Sequence, residues 1–192
     1  MSEIKDIFDK MHIELPADAI DKLNRYYKLL VDKNKVMNLT AITDYDEVII
    51  KHFADSAALG CVIELDKTLN VIDVGTGAGF PGIVLKIVYP QLNITLLDSL
   101  NKRVKFLNEV IEELGLADIR AIHGRAEDIA RDMTYREQFD LCVSRAVANM
   151  SSLSEYCLPY VKVGGRFIPY KADGCDEEVR AAPRLLTFLE AK

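Results

Sequence analysis

The spacing of hydrophobic positions changes partway along this chain. Up to about residue 60 it is helical: Ala19, Ile20, Leu23, Tyr26, Tyr27, Leu30 and Val31 recur every three or four residues as one apolar stripe. The stripe predicts an amphipathic helix that ends near Lys33-Asn34-Lys35. A polar connection, Asn38 to Thr43, leads into a second periodic stretch, Val48, Ile49, His52 and Phe53, with Thr43 or Asp44 as its expected N-cap. From residue 69 short β-rich runs alternate with helical ones. Strands are predicted at 69–74, 93–98, 119–123, 139–144 and 166–170, and helices at 81–89, 100–114, 126–131 and 152–161. Five strands separated by helices predict a doubly wound parallel α/β sheet over 61–192, preceded by an N-terminal helical extension over 1–60. Pro81 is expected at the first position of its helix, and Gly164-Gly165 at the turn into the fifth strand. Beyond Tyr170 the chain reads as a helix interrupted by Pro183.

Composition narrows the class. The chain has 192 residues, 49% apolar and 28% charged, the mixture of an ordinary soluble protein. No apolar run approaches the ~20 residues needed to cross a bilayer, and the charged amino terminus carries no signal-peptide core. Cys61, Cys142, Cys157 and Cys175 have neither CxxC nor metal-ligand spacing, which suits a reducing, cytoplasmic setting without a metal. A net charge of −6 excludes general polyanion binding, so any contact with nucleic acid must come from a local basic patch.

The densest chemical signal is Val71-Ile-Asp73-Val-Gly75-Thr-Gly77-Ala-Gly79-Phe80-Pro81-Gly82. Glycines between a strand and a helix permit positive φ and let the backbone approach a ligand, while the helix start offers free N–H groups. A dinucleotide fingerprint would need glycine at 80, where Phe80 stands, which counts against a nucleotide-dependent oxidoreductase. Asp98 closes the next strand, where a carboxylate can accept from both hydroxyls of a ribose or cap the helix that follows. Asp73, the three glycines and Asp98 together resemble the S-adenosylmethionine site of class I methyltransferases.

The end of the fourth strand bears on the methylated atom. Ser144-Arg145-Ala146-Val147 lacks the Asn/Asp-Pro-Pro-aromatic signature of amino methylation. Cys142 and Cys157 read as buried structural thiols rather than the nucleophile that carbon methylation requires. A ring nitrogen such as guanine N7 has a free lone pair and needs no base, so its methylation rests on orientation and electrostatics.

Four further strings complete a family pattern: Leu97-Asp98-Ser99-Leu100-Asn101-Lys102-Arg103, Gly124-Arg125-Ala126-Glu127, Met37-Asn38-Leu39-Thr40 and His52-Phe53-Ala54-Asp55-Ser56. From about Asn38 to Lys171 the chain resembles the RsmG, or GidB, family of bacterial small-subunit rRNA guanine-N7 methyltransferases. The resemblance implies a Rossmann-like class I fold, S-adenosylmethionine as cofactor and a guanine in the 530 loop of 16S rRNA as target, in naked rRNA or the small subunit. It implies cofactor contacts by Gly75, Phe80, Ala126, Glu127 and Arg145, with Asp98 and Ser99 near the ribose; Asp73, Gly77 and Gly79 complete that loop. Arg145 has two open roles, gripping the methionyl carboxylate or holding guanine O6, and is the one candidate catalytic residue, by orientation. Lys102, Arg103, Lys105, Arg125 and Lys171 are the basic residues that could meet phosphate, whereas Arg120 and Arg166 read as surface charges. His52 is expected to orient the N-terminal segment rather than act as a base. The last two strands of the family's seven-stranded sheet find no counterpart here, so a binding module that keeps the pocket without activity stands as the alternative.

Overall fold

Helix α1 (Glu3–Lys10) buries Ile4 and Phe8, and α2 (Ala19–Met37) buries Ala19, Leu23, Tyr26 and Leu30, the stripe read from the sequence. The computed structural model describes residues 3–145 and 150–170. Helix α2 runs past its expected end to Met37, where Asn38 caps it in the left-handed region (φ 49°). Asn34 organises the connection that follows: its Oδ1 accepts from the N–H groups of Leu39 (2.6 Å) and Thr40 (2.9 Å), and its Nδ2 donates to the Thr40 carbonyl. Asp44, one of two expected caps, accepts from the Glu47 N–H at the start of α3 (Tyr45–Val48). The chain then widens into a π-helical turn, Ile49–Ala54, and closes with α4 (Asp55–Ala57). Ile49, Phe53 and Ala54 are buried, while Lys51, His52 and Asp55 remain partly or fully accessible.

The sheet comprises β1 (Asn70–Val74), β2 (Asn93–Asp98), β3 (Ile119–His123), β4 (Phe139–Arg145) and β5 (Val161–Tyr170), all parallel in the order β3-β2-β1-β4-β5. Helices α5 (Gly82–Val88), α6 (Asn101–Glu113), α7 (Ala126–Ile129) and α8 (Met150–Cys157) connect them. Strand order reverses between β1 and β4, so the crevice at their carboxyl ends is where a ligand of such a sheet binds.

Alternation along each strand divides the interior. Val71, Leu141 and Val143 pack with α1, α2 and α5 on one face, whereas Ile72, Val74, Leu97 and Cys142 pack with Cys157 and Tyr160 on the other. Asp73 and Arg145 share the parity of Val71 and Val143, so both side chains stand on the face that the N-terminal helices cover. The extension thus roofs one end of that face.

Two local expectations change. Pro81 is the N-cap of α5, not its first residue, and follows Phe80 through a cis peptide. Gly164 and Gly165 lie inside β5, not before it. There the β4–β5 register jumps from Phe139–Val161 to Leu141–Arg166, and a Cβ at Gly165 would sit 2.8 Å from the Asp140 carbonyl. The strand begins at Val161, directly after a 3-10 turn, Leu158–Tyr160, that carries Pro159 and follows the end of α8 at Cys157. The expected C-terminal helix, Cys175 and Lys171 lie outside the described residues, as do Ala146 and Val147.

Tyr26 ties α2 to the turn after β1: its buried hydroxyl donates to the Ala78 carbonyl at 2.6 Å, and its ring packs on Phe53 and Phe80. Tyr26→Phe keeps the ring and orphans that buried carbonyl, so urea denaturation should show a loss of about 1–3 kcal/mol; an unchanged midpoint would show that water replaces the contact.

Candidate active site

The turn that follows β1 is drawn onto the end of β2. The N–H groups of Gly75 and Thr76 both donate to the Leu97 carbonyl (2.8 and 3.1 Å), and the Gly77 N–H donates to Asp98 Oδ2 (2.9 Å). Asp98 Oδ1 accepts from the Leu100 N–H at 2.8 Å, so this carboxylate also supports the start of α6. Gly79 is obligatory: its φ is 105°, and a Cβ there would lie 2.7 Å from both Ile83 Cδ1 and the Tyr26 hydroxyl.

Beneath the turn, Asp73 Oδ2 accepts from Thr76 Oγ1 (2.6 Å) and the Gly82 N–H (2.8 Å), which caps α5 from the strand. Oδ1 is buried without a partner among the described residues. Burial pushes the carboxyl up to about 6, against the opposing pull of the Thr76 and Gly82 hydrogen bonds.

The facing wall comes from the N-terminal extension. Arg145 Nη1 donates to Asp55 Oδ2 at 3.2 Å and to the Lys51 carbonyl at 3.3 Å, while Nη2 stands 3.3 Å from His52 Nδ1. Its guanidinium lies 4.8 Å from the centre of the Phe80 ring, and the His52 ring stacks on Phe80 at 4.5 Å. His52 Nε2 is 2.9 Å from Thr40 Oγ1, which the Asn34 clasp holds in place. Burial and then the Arg145 charge pull the His52 pKa down to about 4, so the ring is neutral at physiological pH. The ring is engaged at both nitrogens, by Thr40 and by Arg145.

Between the walls lies a cleft of about 970 Å³. It brings together seven of the expected residues: Gly75, Gly77, Phe80, Asp98, Ser99, Arg103 and Arg145. Asp73 and Gly79 are buried behind this lining. Ala126 and Glu127 start α7 at the end of β3 and stand outside it. Arg103 approaches Asp98 Oδ2 at 3.4 Å; Lys102, Lys105 and Arg125 are exposed. Arg120 is exposed, as expected, but lies over the Tyr135 ring and donates to Thr95 Oγ1. Thr40, Lys51, Asp55 and Tyr170 also line the cleft and carry no role in the sequence reading. The signal for Asp55 is its place three residues after His52, one helical turn along.

A doubly wound sheet with a glycine turn after β1 and an acidic residue closing β2 is the frame of the class I S-adenosylmethionine-dependent methyltransferases. Solved structures share the fold: an O-methyltransferase described as SAM-dependent, from Thermotoga maritima, superposes with a TM-score of 0.55 at 19% identity over 83% of this chain and 55% of its own. A precorrin-6y C5,15-methyltransferase from Geobacter metallireducens gives 0.54 at 16% identity, over 69% of each chain. At such identities the likeness concerns the fold alone. Sequence comparison goes further. The profile of the GidB family, rRNA small subunit methyltransferase G, matches residues 19–192. Proteins named ribosomal RNA small subunit methyltransferase G from Lachnoclostridium phytofermentans and Acetivibrio thermocellus are each 53% identical over 180 residues, 94% of this chain and 74% of theirs. The chain belongs to the rRNA small subunit methyltransferase G family.

The two shifted groups oppose each other in pH dependence. His52 has its folded pKa depressed, so its contribution to stability is full above pH 6.5 and is lost as pH falls towards 4. Asp73 has its folded pKa raised, so its contribution is full below pH 3.8 and is lost as pH rises through about 6. In urea denaturation across pH 4–7, the stability advantage of the wild type over His52→Gln should shrink on acidification. The advantage over Asp73→Asn should shrink on going to neutral pH. Gaps that stay flat with pH would refute these environments.

Proposed function

We propose that this chain transfers the methyl group of S-adenosylmethionine to N7 of a guanine in the 530 loop of 16S rRNA, acting in the cytoplasm on rRNA or the small ribosomal subunit. The observation that carries this reading is the Gly77–Asp98 hydrogen bond, which joins the glycine turn and the acidic strand end into one cleft wall in a chain of this family.

The residues present fit the cofactor. An ionised carboxylate has about four acceptor positions; Asp98 spends three on Gly77, Leu100 and the longer 3.4 Å contact of Arg103, which leaves one for a ribose hydroxyl and a second where Arg103 gives way, with exposed Ser99 beside it. Gly75 and Gly77 let the backbone come close without a Cβ between. Asp73 Oδ1, a buried acceptor lacking a protein partner among the described residues, suits the cationic methionyl end. Phe80 lines the cleft while almost wholly buried, its ring in contact with Tyr26, Phe53, His52 and Arg145, so it supports the wall more than it offers a face to the cofactor. Ala126 and Glu127, at the far side of Asp98, are assigned to the adenine. The bound cofactor supplies an electrophilic sulfonium methyl, and no metal ion enters this scheme.

Guanine N7 has no proton to remove, so the chain's task is to hold the base in line and to keep water out. His52, neutral and engaged at both nitrogens, fits that division of labour. Lys102, Arg103, Arg125 and Lys171 are assigned to phosphate; Arg103 lines the cleft, and Lys102 and Arg125 are exposed outside its lining. In a protein of net charge −6 these contacts are local, and transfer should slow as salt rises.

Deleting the gene should abolish guanine-N7 methylation in that loop, seen by mass spectrometry of 16S rRNA, and restoring it should return the mark; a persisting mark would sink the assignment. Asp98→Ala should weaken binding of S-adenosylhomocysteine at least about tenfold by titration calorimetry, since each hydrogen bond to a charged acceptor is worth about 1.5–3 kcal/mol. Undiminished affinity would place the ribose elsewhere.

A further inference from the structure

Arg145 and Asp55 form an ion pair inside the cleft, anchored at one end and open at the other. The Arg145 side chain is 16% exposed and that of Asp55 51%. Arg145 Nη1 is shared between Asp55 Oδ2 and the Lys51 carbonyl, Nη2 meets His52 Nδ1, and the plane of the group rests on Phe80. The arginine is therefore fixed in direction. Asp55 spends one oxygen on it and, with about four acceptor positions in all, keeps acceptor capacity towards the cleft it lines.

Near-neutrality of the pair decides what it can receive. An anion such as the methionyl carboxylate would be drawn to Arg145 but repelled by Asp55, 3.2 Å from the same guanidinium. A neutral ligand that presents an acceptor next to a donor gains from both partners. Guanine has that order along one edge: the O6 acceptor, then the N1–H and 2-amino donors, with N7 on the other side of O6. Adenine presents an amino donor and then a bare N1, which sets donor against Arg145 and lone pair against Asp55.

We infer that Asp55 and Arg145 read the target base, Arg145 donating to guanine O6 and Asp55 accepting from N1–H and the 2-amino group. This rests on the guanine-N7 reading above and specifies how the base is chosen. The contacts leave N7 unoccupied for methyl transfer. As the N7 lone pair forms its bond to the methyl carbon, the sulfur–methyl bond of the donor would break with its electron pair returning to sulfur, so the positive charge passes from the sulfonium to the purine and the N1–H becomes more acidic. The hydrogen bond to Asp55 then strengthens, so the carboxylate favours the transition state over the bound substrate. It also offsets the repulsion between Arg145 and the cationic product. The neutral His52 beside them adds no second positive charge.

The test compares guanosine with inosine at the target position of 16S rRNA assembled into small subunits, using the full chain and S-adenosylmethionine with a labelled methyl group. Inosine keeps N7, O6 and N1–H and lacks only the 2-amino group. The wild type should prefer guanosine in kcat/KM by roughly tenfold, the effect of one hydrogen bond to a charged acceptor. Asp55→Ala should slow methylation of guanosine and bring the preference close to one; Asp55→Asn, which keeps an acceptor without its charge, should fall between. A purely structural Asp55 would slow both templates alike and leave the preference intact in both variants, and that result, or a wild type without preference, overturns the inference. The preference is internal to each variant, so partial loss of folded protein cannot imitate it. Failure of the underlying reading looks different: the wild type would then methylate neither template at N7.

Discussion

A carboxylate buried at the carboxyl end of the central strand holds this site together. Asp73 could not stay charged in an apolar core without compensation, and it finds it in the Thr76 hydroxyl and in the first N–H of α5. Those bonds fix both ends of the glycine turn. With Thr76 and Gly82 held, Gly75 and Gly77 fall against the end of β2, Phe80 is pressed among Tyr26, Phe53 and His52, and α5 starts with its first amide on the strand. The remaining oxygen stays a buried acceptor behind the cleft lining. The interaction is structural and functional at once, because the group that closes the turn also sets its polarity.

The two walls of the cleft have different origins. One belongs to the sheet, at the reversal of strand order between β1 and β4, and carries the glycine turn, Asp98 and Ser99. The other belongs to the extension: the Asn34 clasp places Thr40, Thr40 meets His52, and the π-helical turn with the first residue of α4 sets Lys51, His52 and Asp55 towards the cleft while Ile49 and Phe53 go into the core. Arg145 spans the gap from the end of β4 to this second wall. Its position depends on both, so the extension is part of the site and not an appendage to it. Electrostatics follow the same division: Asp98 with Arg103 on one side, Asp55 with Arg145 on the other, and a histidine kept neutral by burial between the second pair and Phe80.

Hydrophobic period and glycine placement determined most of the fold from the sequence alone. Alternation marks a strand because successive side chains face opposite ways, so β2 and β3 match their predicted bounds and β1 and β4 lie within a residue of theirs. The turn after β1 was legible because Gly79 tolerates no Cβ, and Asp98 because it closes the neighbouring strand. Tertiary structure decided the rest. Arg145 and Asp55 are 90 positions apart, and Tyr26 and Ala78 are 52 apart; such pairs form only once strand parity and helix docking have chosen which faces meet. Gly164 and Gly165 read as a turn, yet their place is an irregularity inside β5 that the β4 register imposes. Pro81 is displaced by one position because Asp73 takes the Gly82 amide that begins the helix. Periodicity records which side of an element is buried, whereas the partner it is buried against depends on packing between distant segments, and that partner is what makes a cleft out of a sheet.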